Sequence, residues 1–141
     1  MGRRRLLSKA AIADIPALKH VRGAVSENIL RDPSKVTDAH YEWFISNPGL
    51  HKWEDQGRIV GFSAADPRDG SIWALFVLPE YEGRGIGKAL LAEACEILRA
   101  GGHVRARLST GASTRAEAFY RRAGWSVTDA DSREILFERP L

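Results

Sequence analysis

The stretch Leu75-Phe76-Val77-Leu78-Pro79-Glu80-Tyr81-Glu82-Gly83-Arg84-Gly85-Ile86-Gly87-Lys88-Ala89-Leu90-Leu91 decides the fold. It passes from an apolar strand, through a glycine-rich turn, straight into an amphipathic helical pattern. Gly83, Gly85 and Gly87 alternate where the helix begins, and Lys88 follows at once. A helix N-terminus presents unpaired backbone N–H groups and a partial positive charge. Glycines leave out the Cβ atoms that would hold an anion away from those donors. The amides from Gly83 to Lys88, with Arg84 and Lys88 as cations, therefore suit a phosphate compound. Tight strand-to-helix packing is the plain structural alternative. A dinucleotide turn fits less well, because Gly-x-Gly-x-Gly lacks the Gly-x-Gly-x-x-Gly spacing.

Outward from this turn the pattern alternates strand and helix. Ser71 to Val77 is almost wholly apolar, which predicts a mid-sheet strand covered on both faces. Upstream, Leu50 to Glu54 and Arg58 to Ala65 form a hairpin about Asp55-Gln56-Gly57. Thr37 precedes a helix over 38–46, with Tyr41, Phe44 and Ile45 on one face. Asp14 is placed to cap an earlier helix bearing Ile15, Leu18, Val21 and Val25, after an edge strand over 6–11. Downstream, Ile86 to Ala100 is the amphipathic helix and Val104 to Leu108 a strand. Thr114 and Glu117 form a candidate capping box for a helix to Ala123, which Gly124 stops. Two strands, 125–128 and 134–138, close the chain. The order βααβββαβαββ implies an α/β sandwich with a mixed sheet, residues 1–141 forming a single domain.

Composition narrows the classes. The chain has 141 residues, 44% hydrophobic and 28% charged, which suits a folded core rather than disorder. A net charge of +3 favours an anionic ligand but is too weak to argue for nucleic acid. One cysteine, Cys95, allows no internal disulfide, and no Cys/His cluster has zinc spacing, so no metal is expected. No apolar run approaches the ~20 residues needed to cross a bilayer. The basic start, Met1-Gly2-Arg3-Arg4-Arg5-Leu6-Leu7, lacks the apolar stretch of a secretory signal. No membrane partner and a cytoplasmic location are expected.

A second motif, Ala116-Glu117-Ala118-Phe119-Tyr120-Arg121-Arg122-Ala123-Gly124-Trp125, lies about thirty residues beyond the glycine turn. Together the two segments resemble the GNAT superfamily of acetyl-CoA-dependent N-acetyltransferases. The first is similar to that family's Gln/Arg-x-x-Gly-x-Gly/Ala, with Glu82 in the leading position. The second is similar to its Ala-x-x-Phe-Tyr-x-x-x-Gly-Phe/Trp. The ordered pair is specific, and the resemblance is strong over residues 71–125. It implies a mostly antiparallel sheet of six or seven strands flanked by about four helices. It also implies acetyl-CoA as co-substrate, with a small-molecule or peptide amine as acceptor. Dimers are common in the family, so a homodimer stays open.

Residue by residue, the resemblance implies that Glu82, Gly83, Arg84, Gly85, Ile86, Gly87 and Lys88 surround the diphosphate. Phe76 and Val77 would meet the pantetheine amides through main-chain groups, as an added strand would. Ser113 stands where many members carry Asn, and its hydroxyl, with Ala116, would border the cofactor. The residues themselves place Ala116, Phe119, Tyr120 and Ala123 on one helical face, with the phenol beside Ala116 and Ser113. A phenol there suits a general acid for the leaving thiolate. For the general base, Glu27, His40, His51 and Glu42 are candidates. Glu27 is preferred, because it lies in the irregular stretch that lines the acceptor side in the family. No carboxylate occurs between Ser71 and Val77, where a family glutamate acts as base. His51 reads as a plain surface histidine and Trp73 as core, while Tyr41 or Trp43 would border the acceptor.

Two rivals stand beside this reading. One is a related enzyme using another acyl-CoA. The other is a non-catalytic basic RNA-binding module built on Arg99, Arg105, Arg107, Arg115, Arg121 and Arg122. Those arginines do not interleave with aromatics in a recognisable RNA motif, so a nucleic-acid partner is not expected.

Overall fold

The computed structural model describes residues 6–25, 36–47 and 49–141. The apolar run at its centre becomes the fourth of seven strands: β1 (Leu7–Lys9), β2 (Leu50–Asp55), β3 (Arg58–Asp66), β4 (Ser71–Val77), β5 (Arg105–Gly111), β6 (Ser126–Ala130) and β7 (Glu134–Pro140). They form one sheet in the order β1-β2-β3-β4-β5-β7-β6. Among the described residues four α-helices interrupt them: α1 (Ile15–Ala24), α2 (Asp38–Ser46), α3 (Ile86–Ala100) and α4 (Arg115–Arg122). The element order and the mixed, mostly antiparallel sheet agree with the sequence reading. β5 runs to Gly111 rather than stopping at Leu108, because its antiparallel ladder with β7 continues to the pair Gly111↔Glu134.

Successive strand residues point to opposite faces, and this sorts the helices. On β3, Phe62 meets Tyr41 of α2, with ring centroids 6.2 Å apart. Its neighbour Ser63 donates to the Leu90 carbonyl of α3 at 2.9 Å. Thus α1 and α2 cover one face and α3 the other. α4 lies on the α3 side, where Tyr120 reaches Phe137 of β7 at 5.6 Å. α3 is held by its buried stripe Ile86, Leu90, Leu91, Ala94 and Leu98, a helical spacing that leaves Lys88, Glu96 and Arg99 to solvent.

Local details depart from the expected caps. Asp14 does not cap α1 through its side chain. A short 3₁₀ turn, Ile12–Asp14, precedes the helix instead. The Asp14 carboxylate turns back to accept from Ala11 N at 2.7 Å and from Lys52 Nζ at 2.9 Å. Before α4, the Thr114 hydroxyl accepts from Glu117 N at 3.2 Å, which is half of the expected capping box. The other half is replaced: the Glu117 carboxylate accepts from Ser113 N and from Arg121 Nε. These donors also hold that carboxyl below its ordinary range.

Between α2 and β2 the chain passes against β3 without room for a side chain. Ala65 N donates to the Gly49 carbonyl at 3.1 Å. A Cβ on Gly49 would lie 2.3 Å from the Ala65 carbonyl oxygen, so backbone must move to admit one. Gly49→Ala is therefore expected to cost about 1–3 kcal/mol, the usual range for overpacking. In urea unfolding the midpoint should fall with little change of slope; an unaltered midpoint would contradict this packing.

Candidate active site

β4 and β5 run parallel but pair only at Ser71↔Arg107. Beyond that pair they diverge. A bulge contributes on the other edge of β4, where Ala64↔Ala74 is followed by Ala65↔Ile72 and Trp73 is left without a β3 partner. Bulges bend and twist the strand that carries them. The residues after Ile72 consequently border a cavity of about 730 Å³ rather than the next strand. This corrects the expectation that both faces of the apolar strand are covered along its whole length. Leu75, Phe76 and Val77 are only half-buried, and all three line the opening.

The glycine turn forms the rim on the α3 side. Gly83 and Gly85 have φ of +78° and +83°, a left-handed backbone that other residues adopt only under strain. Gly85 is the N-cap of α3, and no side chain caps this end. The first-turn N–H groups at Ile86, Gly87 and Lys88 thus lack intrahelical acceptors. Gly83, Gly85, Gly87 and Lys88 all line the cavity. A Cβ on Gly87 would meet Phe119 and Val77 at an ordinary 3.7 Å, so the apo fold would accept alanine there. The same turn carries two side chains away from this rim. Ile86 is buried in the core, and the Arg84 guanidinium stacks 4.7 Å over the Tyr81 ring. Glu82 is tied across the mouth to Arg115 of α4 at 2.8 Å.

α4 forms the facing wall through Thr114, Ala116, Phe119 and Tyr120. Tyr120 is 6% exposed and packs against Phe119, Trp125 and Phe137. Burial pushes its phenol well above the usual range, with Cys95 adding to the shift. The group therefore stays protonated throughout the neutral range, as a proton donor must. Ala123, expected on the same buried face, is exposed at the end of the helix.

Other expected residues fall elsewhere. Glu27 lies outside the described residues. His40, His51 and Glu42 do not line the cavity. His40 Nδ1 accepts from Thr37 N at 3.0 Å in a helix cap. His51 is buried rather than on the surface, with Nε2 3.4 Å from Glu93. Ser113 is exposed and off the cavity wall, held at φ +61° with its N–H bonded to Glu117; its neighbour Thr114 lines the wall instead. Trp73 packs on the core as expected, stacked on Phe44 with ring centroids 4.3 Å apart, and also lines the cavity, whereas Tyr41 is buried and Trp43 is covered by Arg68. The sequence reading also passed over Arg22, Ser109 and Thr110, which line the opening. Arg22 carried a signal: it lies four residues after Leu18, on the apolar stripe of α1.

Comparison with known proteins agrees with this geometry. Residues 19–125 match the profile described as "Acetyltransferase (GNAT) family". A mycothiol acetyltransferase of Propionibacterium freudenreichii is 36% identical over 98 residues, and one of Arthrobacter sp. is 33% identical over 99. Each alignment covers 64% of this chain and 31% of the relative, so the chain spans about a third of those proteins. Among solved structures, the PaiA N-acetyltransferase of Thermoplasma acidophilum in complex with coenzyme A superposes with a TM-score of 0.80. That likeness covers 96% of this chain and 98% of that one at 22% identity, and it speaks for the fold. With the family match running from α1 through the glycine turn to the end of α4, this chain belongs to the acetyltransferase (GNAT) family.

Proposed function

We propose that the chain is an acetyl-CoA-dependent N-acetyltransferase, one acyltransferase domain acting in the cytoplasm on a primary amine of a small molecule or peptide. The observation that carries this reading is the uncapped start of α3, opening onto the cavity that also holds the unpaired edge of β4 and the Tyr120 phenol. No described helix is long and apolar enough to cross a membrane, and no metal-binding cluster occurs among the described residues.

The co-substrate supplies an activated acetyl thioester; the protein supplies placement and protons. The N–H groups of Ile86, Gly87 and Lys88, with the Lys88 ammonium, face a diphosphate. Phe76 and Val77 offer main-chain groups to the pantetheine amides along the edge that β5 leaves free. Tyr120 donates a proton to the departing thiolate. In water a phenol is the weaker acid by about 1.5 pK units, roughly 2 kcal/mol. Burial of the phenol widens that gap, and the same apolar walls disfavour a neighbouring thiolate too, which offsets part of the widening. Glu27 is the proposed base for the acceptor ammonium; the resemblance supports it, as does the absence of His40, Glu42 and His51 from the cavity wall.

The RNA-binding alternative gains nothing from the arginine placement. Arg99, Arg105, Arg115 and Arg121 pair with Glu96, Glu138, Glu82 and Glu117, Arg107 is bonded to the Asp69 carbonyl, and Arg122 lies on the cavity wall.

Coenzyme A at millimolar concentration is expected to raise the melting temperature. Gly87→Ala should keep that shift and add about 0.5–1 kcal/mol of helix stability. Gly87→Glu should abolish the shift, since its carboxylate would stand where the diphosphate sits. A wild-type protein indifferent to coenzyme A would remove the cofactor reading.

Tyr120→Phe is expected to lower kcat by about 10²–10⁴-fold while the coenzyme A shift persists. Full turnover would dismiss the acid role. The same variant reports on alkaline stability. Because the folded-state pKa is raised, the stabilisation from the protonated phenol is complete below the unfolded value near 10 and is lost as pH rises beyond it. In urea unfolding at pH 9, 10 and 11, wild type should lose up to about 1.4 kcal/mol per pH unit above 10 relative to Tyr120→Phe. Parallel curves for the two proteins would count against burial of the phenol.

A further inference from the structure

Arg22 stands opposite the diphosphate rim, on the α1 side of the same cavity. Its helix buries Ile15, Leu18 and Val21, and Arg22 continues that stripe in place of an apolar residue. The guanidinium lies 4.8 Å over the Phe76 ring and 5.1 Å over the Trp73 ring. Its Nε and Nη1 are buried and have no hydrogen-bond partner among the described residues. A guanidinium is permanently charged, and burying its donors unpaired is costly. Stacking on two aromatic rings offsets part of that cost but satisfies no N–H. The cavity wall supplies no answering charge: among the described residues its one carboxylate is Glu82, already bonded to Arg115.

Position narrows what would answer it. Phe76 lies on the edge of β4 assigned above to the pantetheine arm, so an anion on Arg22 sits within a side chain's reach of the thioester. The diphosphate is held on the far rim, by α3. A planar fork of N–H donors matches a carboxylate in bidentate geometry. We propose that Arg22 receives a carboxylate of the acceptor, making the acceptor class an amino acid or another amine with an acid group close to its nitrogen. This rests on the acetyltransferase reading and names its substrate class.

The test measures thiol release from acetyl-CoA with amino acids of both α- and β-type, each supplied as the free acid and as its carboxamide. Wild type should favour the acid forms at least tenfold in kcat/KM. In Arg22→Gln that preference should collapse to near unity, and Arg22→Lys should keep part of it. Coenzyme A should stabilise all three proteins alike, which shows that the variants are folded. Equal rates for acid and amide in wild type, or an acid preference that survives in Arg22→Gln, would overturn the proposal. So would turnover of neither form by a protein that coenzyme A stabilises, an outcome that leaves the cofactor reading intact. Failure of coenzyme A to bind the wild type would instead bring down both.

Discussion

The separation of β4 from β5 is the constraint on which everything else depends. Elsewhere the strands pair along most of their length, from Gly61↔Val77 to Asp66↔Ser71 with one bulge on one side and from Arg105↔Pro140 to Gly111↔Glu134 on the other. At this seam a single pair holds. Folded chains rarely leave interior main-chain groups without partners. Here a middle strand does so along most of one edge, and the opening is wide enough for a peptide-like arm. Binding by main-chain groups, as proposed, would let apolar side chains such as Phe76 and Val77 serve the site while still packing against the first core.

The site draws three different environments from three helices. α3 contributes an uncapped N-terminus with a lysine, where negative charge is favoured. α4 contributes a phenol enclosed by rings, where negative charge is disfavoured and a proton stays put. α1 contributes a guanidinium laid on aromatic faces, charged but without a partner among the described residues. The seam brings them onto one cavity because α1 lies on one face of the sheet and α3 and α4 on the other, and the gap passes between. A continuous ladder would have kept these groups apart.

What could be read from the sequence was whatever local chemistry determines. The helix Ile86–Ala100 and the strand Ser71–Val77 match the expected bounds residue for residue, since glycine punctuation and apolar period both mark them. Gly85 was legible because only glycine enters a helix comfortably at φ +83°. The misses are tertiary. Nothing local says that Asp14 prefers Lys52, thirty-eight residues away, to the helix it precedes. His51 is drawn inside by packing against Glu93 of α3. Trp73 packs on the core as expected, and that it also borders the cavity goes with a bulge, invisible in an apolar run, that takes it out of register. Thr114 takes the place on the cavity wall expected for Ser113, which is exposed and whose N–H the turn before α4 spends on Glu117.

α3 has a consequence beyond the phosphate rim. Its first turns, Ile86 and Leu90, belong to the apolar cluster of α1, α2 and β2–β4, whereas Leu91, Ala94 and Leu98 belong to the cluster of β5, β7 and α4. The molecule is thus built as two leaves on one spine, and the ligand-facing end of that spine is rooted in the first leaf alone. An anion gripped there as proposed, with its arm lying along the seam and its far end against α4, would work as a clasp. Amide exchange at the pair Ser71↔Arg107, where the leaves meet across the seam, is where that fastening would register first.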